Sequence, residues 1–258
     1  MEEAVVVFGK WTRDSLEDML RESSSYSTPG ERIHYLSSLF LGVAYKESTL
    51  IGDIGTPELL VINLQEVDCI TFIEYIEAMR LSGSFEEFEK NLKKIRYRSG
   101  KVAFTTRKHF FTDWSEFNRD FVDDVTGHIG GLKTIRIRKQ LNIREDGTAF
   151  LYGIRPCERE IAYIPSDALA DVPADALVDS VFDTLQTGDY IGIYSGTPGL
   201  DVSHAGIFIK DGGKEYLRHA SSAKEQRKVI DQDFKSYMAA KHGIIVLRPK
   251  NQAIGNRL

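Results

Sequence analysis

Asp68-Cys69-Ile70-Thr71-Phe72-Ile73-Glu74 is the stretch on which the fold turns. From Cys69 onward the apolar residues fall at Ile70, Phe72, Ile73, Ile76 and Met79, a helical rather than a strand period. Asp68 is a good N-cap, so the spacing predicts a helix whose first turn carries Cys69. The dipole and the N–H groups of a helix start favour thiolate over thiol, and the thiolate is the nucleophile. The plain alternative is a buried small side chain, the usual role of a cysteine outside disulfides. A reacting thiol needs a histidine delivered from elsewhere in the chain.

Working outward, 58–64 is a short apolar strand-like run that leads into this helix. Residues 15–22 and 31–41 have helical spacing, the second opened by Pro29-Gly30. Residues 85–95 predict an amphipathic helix with Phe85, Phe88, Leu92 and Ile95 on one face. From about residue 133 the pattern changes to strands, at 134–138, 160–164, 190–194, 202–209, 215–220 and 244–247, with a late helix over 231–240. Helices followed by antiparallel strands imply an α+β fold, with the Cys-bearing helix packed on the sheet. No repeat or linker interrupts the chain, so a single domain over 1–258 is expected.

The composition narrows the function classes. A hydrophobic content of 42% suffices for a core. A net charge of −5 and a pI near 5.8 argue against a nucleic-acid or anionic-membrane binder. The basic run Lys93-Lys94-Ile95-Arg96-Tyr97-Arg98 is either a solvated face or the lining of an anionic substrate site. Two cysteines, Cys69 and Cys157, make neither a disulfide framework nor a Cys-rich zinc site. Cys157 lacks a helix-start context and is read as incidental. No apolar run approaches the roughly 18 residues of a membrane span, and 5–8 is too short for a signal-peptide core.

Six histidines are available: His34, His109, His128, His204, His219 and His242. Two lie in a predictable hairpin, because Asp211-Gly212 between alternating runs is a strong two-residue loop signal. That loop puts His204 directly opposite His219, with Cβ atoms roughly 4.5–5.5 Å apart; a three-residue loop would break the register. Such a pair suits cysteine chemistry. His204 would take the thiol proton and later protonate the leaving amine, while His219 would fix the orientation and tautomer of that ring. Two ordinary strand histidines are the bland alternative. Metal ligation has less behind it, since no carboxylate or cysteine stands at a ligand spacing and no His-Glu-x-x-His occurs.

The order of these residues, a Cys at a helix start and then a His on each of two successive strands, resembles the NlpC-type papain-like cell-wall hydrolases. His204-Ala205-Gly206-Ile207-Phe208-Ile209 is similar to that superfamily's histidine strand, and Leu217-Arg218-His219-Ala220-Ser221 to its third-residue strand. Leu41-Gly42-Val43-Ala44-Tyr45 is similar to the Gly-Thr-Pro-Tyr segment whose tyrosine lies beside the nucleophile, although Val43-Ala44 replaces Thr-Pro. Arg96 to Gly100, Arg107 to Trp114, Asn118, Gly188-Asp189 and Gly199 to His204 narrow the likeness. They point to a branch long catalogued as a domain of unknown function and associated with N-acetylmuramoyl-L-alanine amidase activity on anhydro-muropeptides.

The resemblance covers about residues 30–250. It implies a papain-like core, catalytic Cys69, His204 and His219, and no metal or organic cofactor. The long separation of Cys69 from His204 implies a family-type insertion over about 83–187 that shapes the substrate cleft, with about 1–28 an N-terminal helical extension. Expected substrate contacts are Tyr45, Arg96, Arg107, His109, Trp114, Asn118 and Ser203, since cations and an aromatic face suit a peptide carboxylate and a sugar. Trp114 as core and the arginines as surface is the alternative. The implied protein is a periplasmic or secreted monomer with its export signal removed, acting on muropeptides. A cell-wall peptide endopeptidase using the same residues and a catalytically silent wall-binding module are the rival readings.

Overall fold

The long helices lie in the first hundred residues and the long strands after them, as the sequence predicts, although short strands open the chain and short helices separate the later strands. The computed structural model describes residues 4–169 and 181–251. The chain begins with β1 (Val5–Val7), α1 (Arg13–Ser23), α2 (Pro29–Ser38), β2 (Ala44–Tyr45), β3 (Val61–Asn63), β4 (Glu66–Val67), α3 (Cys69–Arg80) and α4 (Phe85–Arg96). It continues through α5 (Thr112–Phe117), β5 (Val122–Asp124), α6 (Thr126–Gly130), β6 (Ile135–Leu141), β7 (Cys157–Pro165), α7 (Val181–Thr184) and β8 (Tyr190–Tyr194). The last elements are β9 (Val202–Asp211), β10 (Lys214–Ala220), β11 (Val229–Asp233), α8 (Phe234–Met238) and β12 (Gly243–Pro249).

The chain divides into two compact units, one of residues 1–109, 218–231 and 250–258, the other of 110–217 and 232–249. In the first, each long helix starts where a short polar side chain takes its first amides. Thr12 and Thr28 close capping boxes with Ser15 and Glu31, Pro29 fills the first helical position of α2, and Ser84 caps α4. Phe85, Phe88, Leu92 and Ile95 of α4 are all buried, the face their spacing predicts. Helix α3 packs with α2, α4 and β4 and is buried on every side from Thr71 to Arg80. Burial of that kind forces its charges into pairs: Glu77 accepts from Nε and Nη2 of Arg80, and Glu74 accepts from Arg96. Two short parallel pairs, β1 with β3 and β2 with β4, complete the frame. The expected 1–28 extension thus supplies a strand as well as a helix.

The second unit is built on a sheet of order β10-β9-β8-β12-β7-β6, with β5 also against β12. The pairings of β5, β6, β7, β8, β9 and β12 are antiparallel. Strand β8 is buried at every residue, so it reads as an apolar run rather than an alternation. Ile164, Ile191, Ile193, Phe208, Phe234 and Val246 lie at the heart of the core. Strand β11 neighbours β10. Residues 1–3 of the expected extension and 170–180 of the expected insertion lie outside the described residues.

Candidate active site

Helix α3 begins at Cys69, and Asp68 is its N-cap. Asp68 Oδ1 accepts from the Ile70 amide at 3.0 Å and the Thr71 amide at 2.7 Å, while the Asp68 amide donates to Thr71 Oγ1 at 2.9 Å. This reciprocal box pins the first turn, so the backbone at Cys69 is held from both sides. The Cys69 side chain is half-buried, and neither Cys69 nor Cys157 forms a disulfide. Cys157 opens β7 opposite Leu141.

Tyr45 reaches the same place through backbone pairing. It lies opposite Val67 in the β2–β4 pair, two residues before Cys69, and the Lys46 amide donates to Val67 O at 3.0 Å. Its half-buried phenol has a raised pKa, first because burial disfavours the phenolate and then because Cys69, Glu47 and Asp68 are near. Arg227 backs the ring with its guanidinium 4.8 Å from the centroid, and Arg227 O accepts from the Tyr45 amide at 2.9 Å. Sequence reasoning did not find Arg227. It carries no motif, and only pairing with residues far away in sequence brings it here.

His219 is a buried residue of β10 in the first unit. Its neighbour Arg218 grips Asp231 with two bonds of 2.7 Å and donates to His34 O at 3.1 Å and Ser37 Oγ at 3.0 Å, anchoring this strand to α2. That anchor too lacked a sequence signal. His204, in the second unit, is a half-buried residue of β9 opposite Ile193, its ring centroid 6.4 Å from that of Tyr237. Ser203 beside it is exposed, with Oγ donating to Ile193 O at 3.4 Å.

The register expected for the hairpin is corrected. The loop is Gly212-Gly213, with φ of 56° and 75°, and the strands close at Asp211 and Lys214. Two consecutive positive φ values define a tight hairpin turn that glycines fill without strain. An Asp211-Gly212 loop is therefore not formed, and the register reckoned from it for His204 and His219 loses its premise.

The expected substrate contacts separate by burial. Arg96 is fully buried, donating from Nε to Glu74 Oε2 and from Nη1 to Val61 O, both at 2.7 Å. Trp114 is 1% exposed and packs edge-on to Tyr190, and Asn118, the C-cap of α5, is also 1% exposed. Arg96, Trp114 and Asn118 are thus enclosed side chains, whereas the remaining expected contacts are partly or fully exposed. Arg107 is half-buried, held to both oxygens of Glu58 and to Gly52 O; Glu58 also accepts from Tyr97 at 2.8 Å. The His109 ring bonds Phe104 O through Nε2 at 2.8 Å. Among the described residues no group of three or more His, Cys, Asp and Glu side chains is disposed to hold a metal ion, and no helix is long and apolar enough to cross a membrane.

These elements define a mixed α/β protein with a mostly antiparallel sheet and a capped helix opening on a cysteine. The chain belongs to the N-acetylmuramoyl-L-alanine amidase-like family, whose model matches residues 35–244. The crystal structure of an N-acetylmuramoyl-L-alanine amidase from Bacteroides uniformis is 31% identical, with a TM-score of 0.67 over 86% of this chain and 99% of that one. A Bacteroides fragilis protein named provisionally as a xylanase is 30% identical, with a TM-score of 0.64 over 82% of this chain and 98% of its own. A Legionella pneumophila protein at 22% identity has a TM-score of 0.76 over 94% and 95% of the two chains, a likeness of fold. No match is found among curated proteins. The family is one of amidase-like cell-wall hydrolases, and peptidoglycan is the substrate class it implies.

Proposed function

We propose that the chain is a cysteine amidase that cleaves the N-acetylmuramoyl–L-alanine amide of peptidoglycan fragments, with Cys69 as nucleophile, His204 as general base and His219 as orienting residue. The observation that carries this reading is Cys69 at the capped start of α3 beside the Tyr45 phenol, in a chain of the amidase-like family. A helix start favours an anion by about 0.3–1 kcal/mol. One pK unit is worth about 1.36 kcal/mol, so the helix alone does not hold a thiol ionised at neutral pH. A base is required, and His204 is the proposed one.

In this mechanism the Cys69 sulfur attacks the lactyl carbonyl as His204 takes the thiol proton. His204 returns that proton to the departing alanine nitrogen as the C–N bond breaks, leaving a thioester. Water, deprotonated by His204, attacks the thioester; the acid leaves and the thiol is restored. The amide of Cys69 is the proposed oxyanion donor. The two-residue change of hairpin register is compatible with these roles, because an even shift leaves each strand's side chains on the same faces.

Together with this chemistry we read the fold as a papain-like core with residues of about 83–187 shaping the cleft, and the setting as the periplasm or cell exterior. Substrate contacts are proposed for Tyr45, Arg107, His109 and Ser203. The test is incubation with a defined anhydro-muropeptide and mass analysis of the products. Free sugar acid plus intact peptide is expected, with no turnover by Cys69→Ala at unchanged melting temperature. Shortened peptide would make the chain an endopeptidase, binding without turnover a silent module, and cleavage of xylan alone a glycosidase. Full activity in Cys69→Ala would refute the cysteine mechanism.

A further inference from the structure

The strand that carries His204 is entered through a buried polar clamp, all of it within the second unit. Asp201 is 2% exposed. Its Oδ2 accepts from the Thr112 amide at 2.7 Å and the Thr112 hydroxyl at 2.8 Å, and its Oδ1 accepts from the Val202 amide at 2.7 Å. The Asp201 carbonyl accepts from the Ser195 amide at 2.9 Å. Thr112 is itself held, since Arg159 Nη1 donates to its carbonyl at 2.7 Å while Nη2 pairs with Asp113 at 2.9 Å. Across the same loop, Lys139 Nζ donates to the carbonyls of Ser195, Thr197 and Leu200 at 2.7, 2.8 and 2.8 Å.

What the clamp encloses is a β-bulge. Tyr194 pairs with Val202, but Ile193 pairs with His204, so Ser203 is an extra residue. A register continued evenly from the first pair would put Ser203 opposite Ile193; the bulge puts His204 there. Bulges re-aim side chains and bend the strand. A carboxylate is costly to bury, and burial pushes the Asp201 carboxyl upward against the opposing pull of Thr112 and Val202. Its three donors keep the turn into β9 in one arrangement.

We propose that Asp201 is a positioning residue for catalysis: its grip on Thr112 and Val202 fixes the bulge at Ser203 and with it the direction of the His204 ring. This rests on the reading of His204 as the base. The test compares Thr112→Val, which removes one donor to Asp201, with Thr112→Ser, which restores the hydroxyl, in steady-state kinetics on the muropeptide. His204→Ala and Arg248→Lys are run beside them; the latter weakens the two-bond Asp189–Arg248 pair elsewhere in the unit. Misplacement of a catalytic group by about 1 Å costs up to about 10²-fold. Thr112→Val is therefore expected to lose about tenfold or more in kcat at unchanged KM, with a displaced limb in the kcat/KM pH profile and an altered His204 ring titration by NMR. Thr112→Ser should behave as the parent, and Arg248→Lys should lower Tm without moving kcat or the pH profile.

If Thr112→Val keeps the parental kcat and pH profile while His204→Ala is dead, the positioning role is overturned and the base assignment stands. If His204→Ala retains full activity, the base assignment itself fails. Equal losses in Thr112→Val and Arg248→Lys would reduce the clamp to a stability element and overturn the proposal.

Discussion

Replacing Glu74 by Gln decides whether Arg96 serves the fold or the substrate. Glu74 and Arg96 are both buried and joined at 2.7 Å from Nε to Oε2. Arg96 keeps a bond to Val61 O and a cation–π contact with Tyr75, its guanidinium 5.4 Å from that ring, while its Nη2 has no hydrogen-bond partner among the described residues. Glu74→Gln preserves shape, so no cavity forms, but it leaves the guanidinium charge uncompensated in a dry site. Removing one partner of a buried pair costs about 3–5 kcal/mol. Gln retains an acceptor, which puts the expected loss near 3 kcal/mol, a large part of a typical stability of about 5–15 kcal/mol. With a urea slope near 3 kcal/mol per molar, the midpoint falls by about 1 M. The double variant Glu74→Leu/Arg96→Met removes both charges and is expected to return to within about 1 kcal/mol of the parent. Urea unfolding followed by circular dichroism measures both. A midpoint unmoved by Glu74→Gln would refute the claim that this pair stabilises α3. A stable double variant with a sharply raised KM for muropeptide would return Arg96 to the substrate.

Asp68→Ala removes the acceptor for two amides of the α3 start and is expected to cost about 1 kcal/mol. Unchanged thermal unfolding would refute the capping role. Glu31 has its carboxyl held below its ordinary value of 4.5, chiefly by hydrogen bonds from the Thr28 hydroxyl and amide. A lowered folded value means that its contribution is full above 4.5 and is lost as pH falls through the folded value. Glu31→Gln should therefore lower Tm at neutral pH and match the parent in strong acid, and a difference that persists in acid would count against the ion's role. Gly192→Ala would set a Cβ 2.6 Å from two Phe111 ring carbons and 2.8 Å from Val202 Cγ1. The expected cost of such overpacking is about 1–3 kcal/mol, and an unshifted unfolding midpoint would show that Phe111 moves freely.

Much of the local structure was legible in the sequence because its causes are local. The Asp68–Cys69 helix start, the Thr28-Pro29 start of α2 and the apolar face of α4 depend on residues within one or two turns of one another. The hairpin shows where such reading stops. Asp211-Gly212-Gly213 allows two different two-residue loops, and local preference supports either. The folded chain uses Gly212-Gly213, and the register reckoned for His204 and His219 rested on the other loop.

Burial was beyond local reading as well. Arg96 ends an amphipathic helix among lysines, where a solvated charge is the ordinary expectation. Its partner Glu74 lies 22 residues away on a helix enclosed on all sides. The polar anchors Arg218–Asp231, Asp201–Thr112 and Arg227–Tyr45 have the same character, since no periodicity reveals which distant carbonyl or carboxylate a side chain will meet. The sequence by itself determined where the helices start, which faces are apolar and that Cys69 sits in a first turn, because backbone caps and side-chain periodicity act over a few residues. Only the tertiary structure decided which charges are enclosed, which loop sets the register and how the strand before His204 is bulged, because those depend on groups brought together from distant parts of the chain.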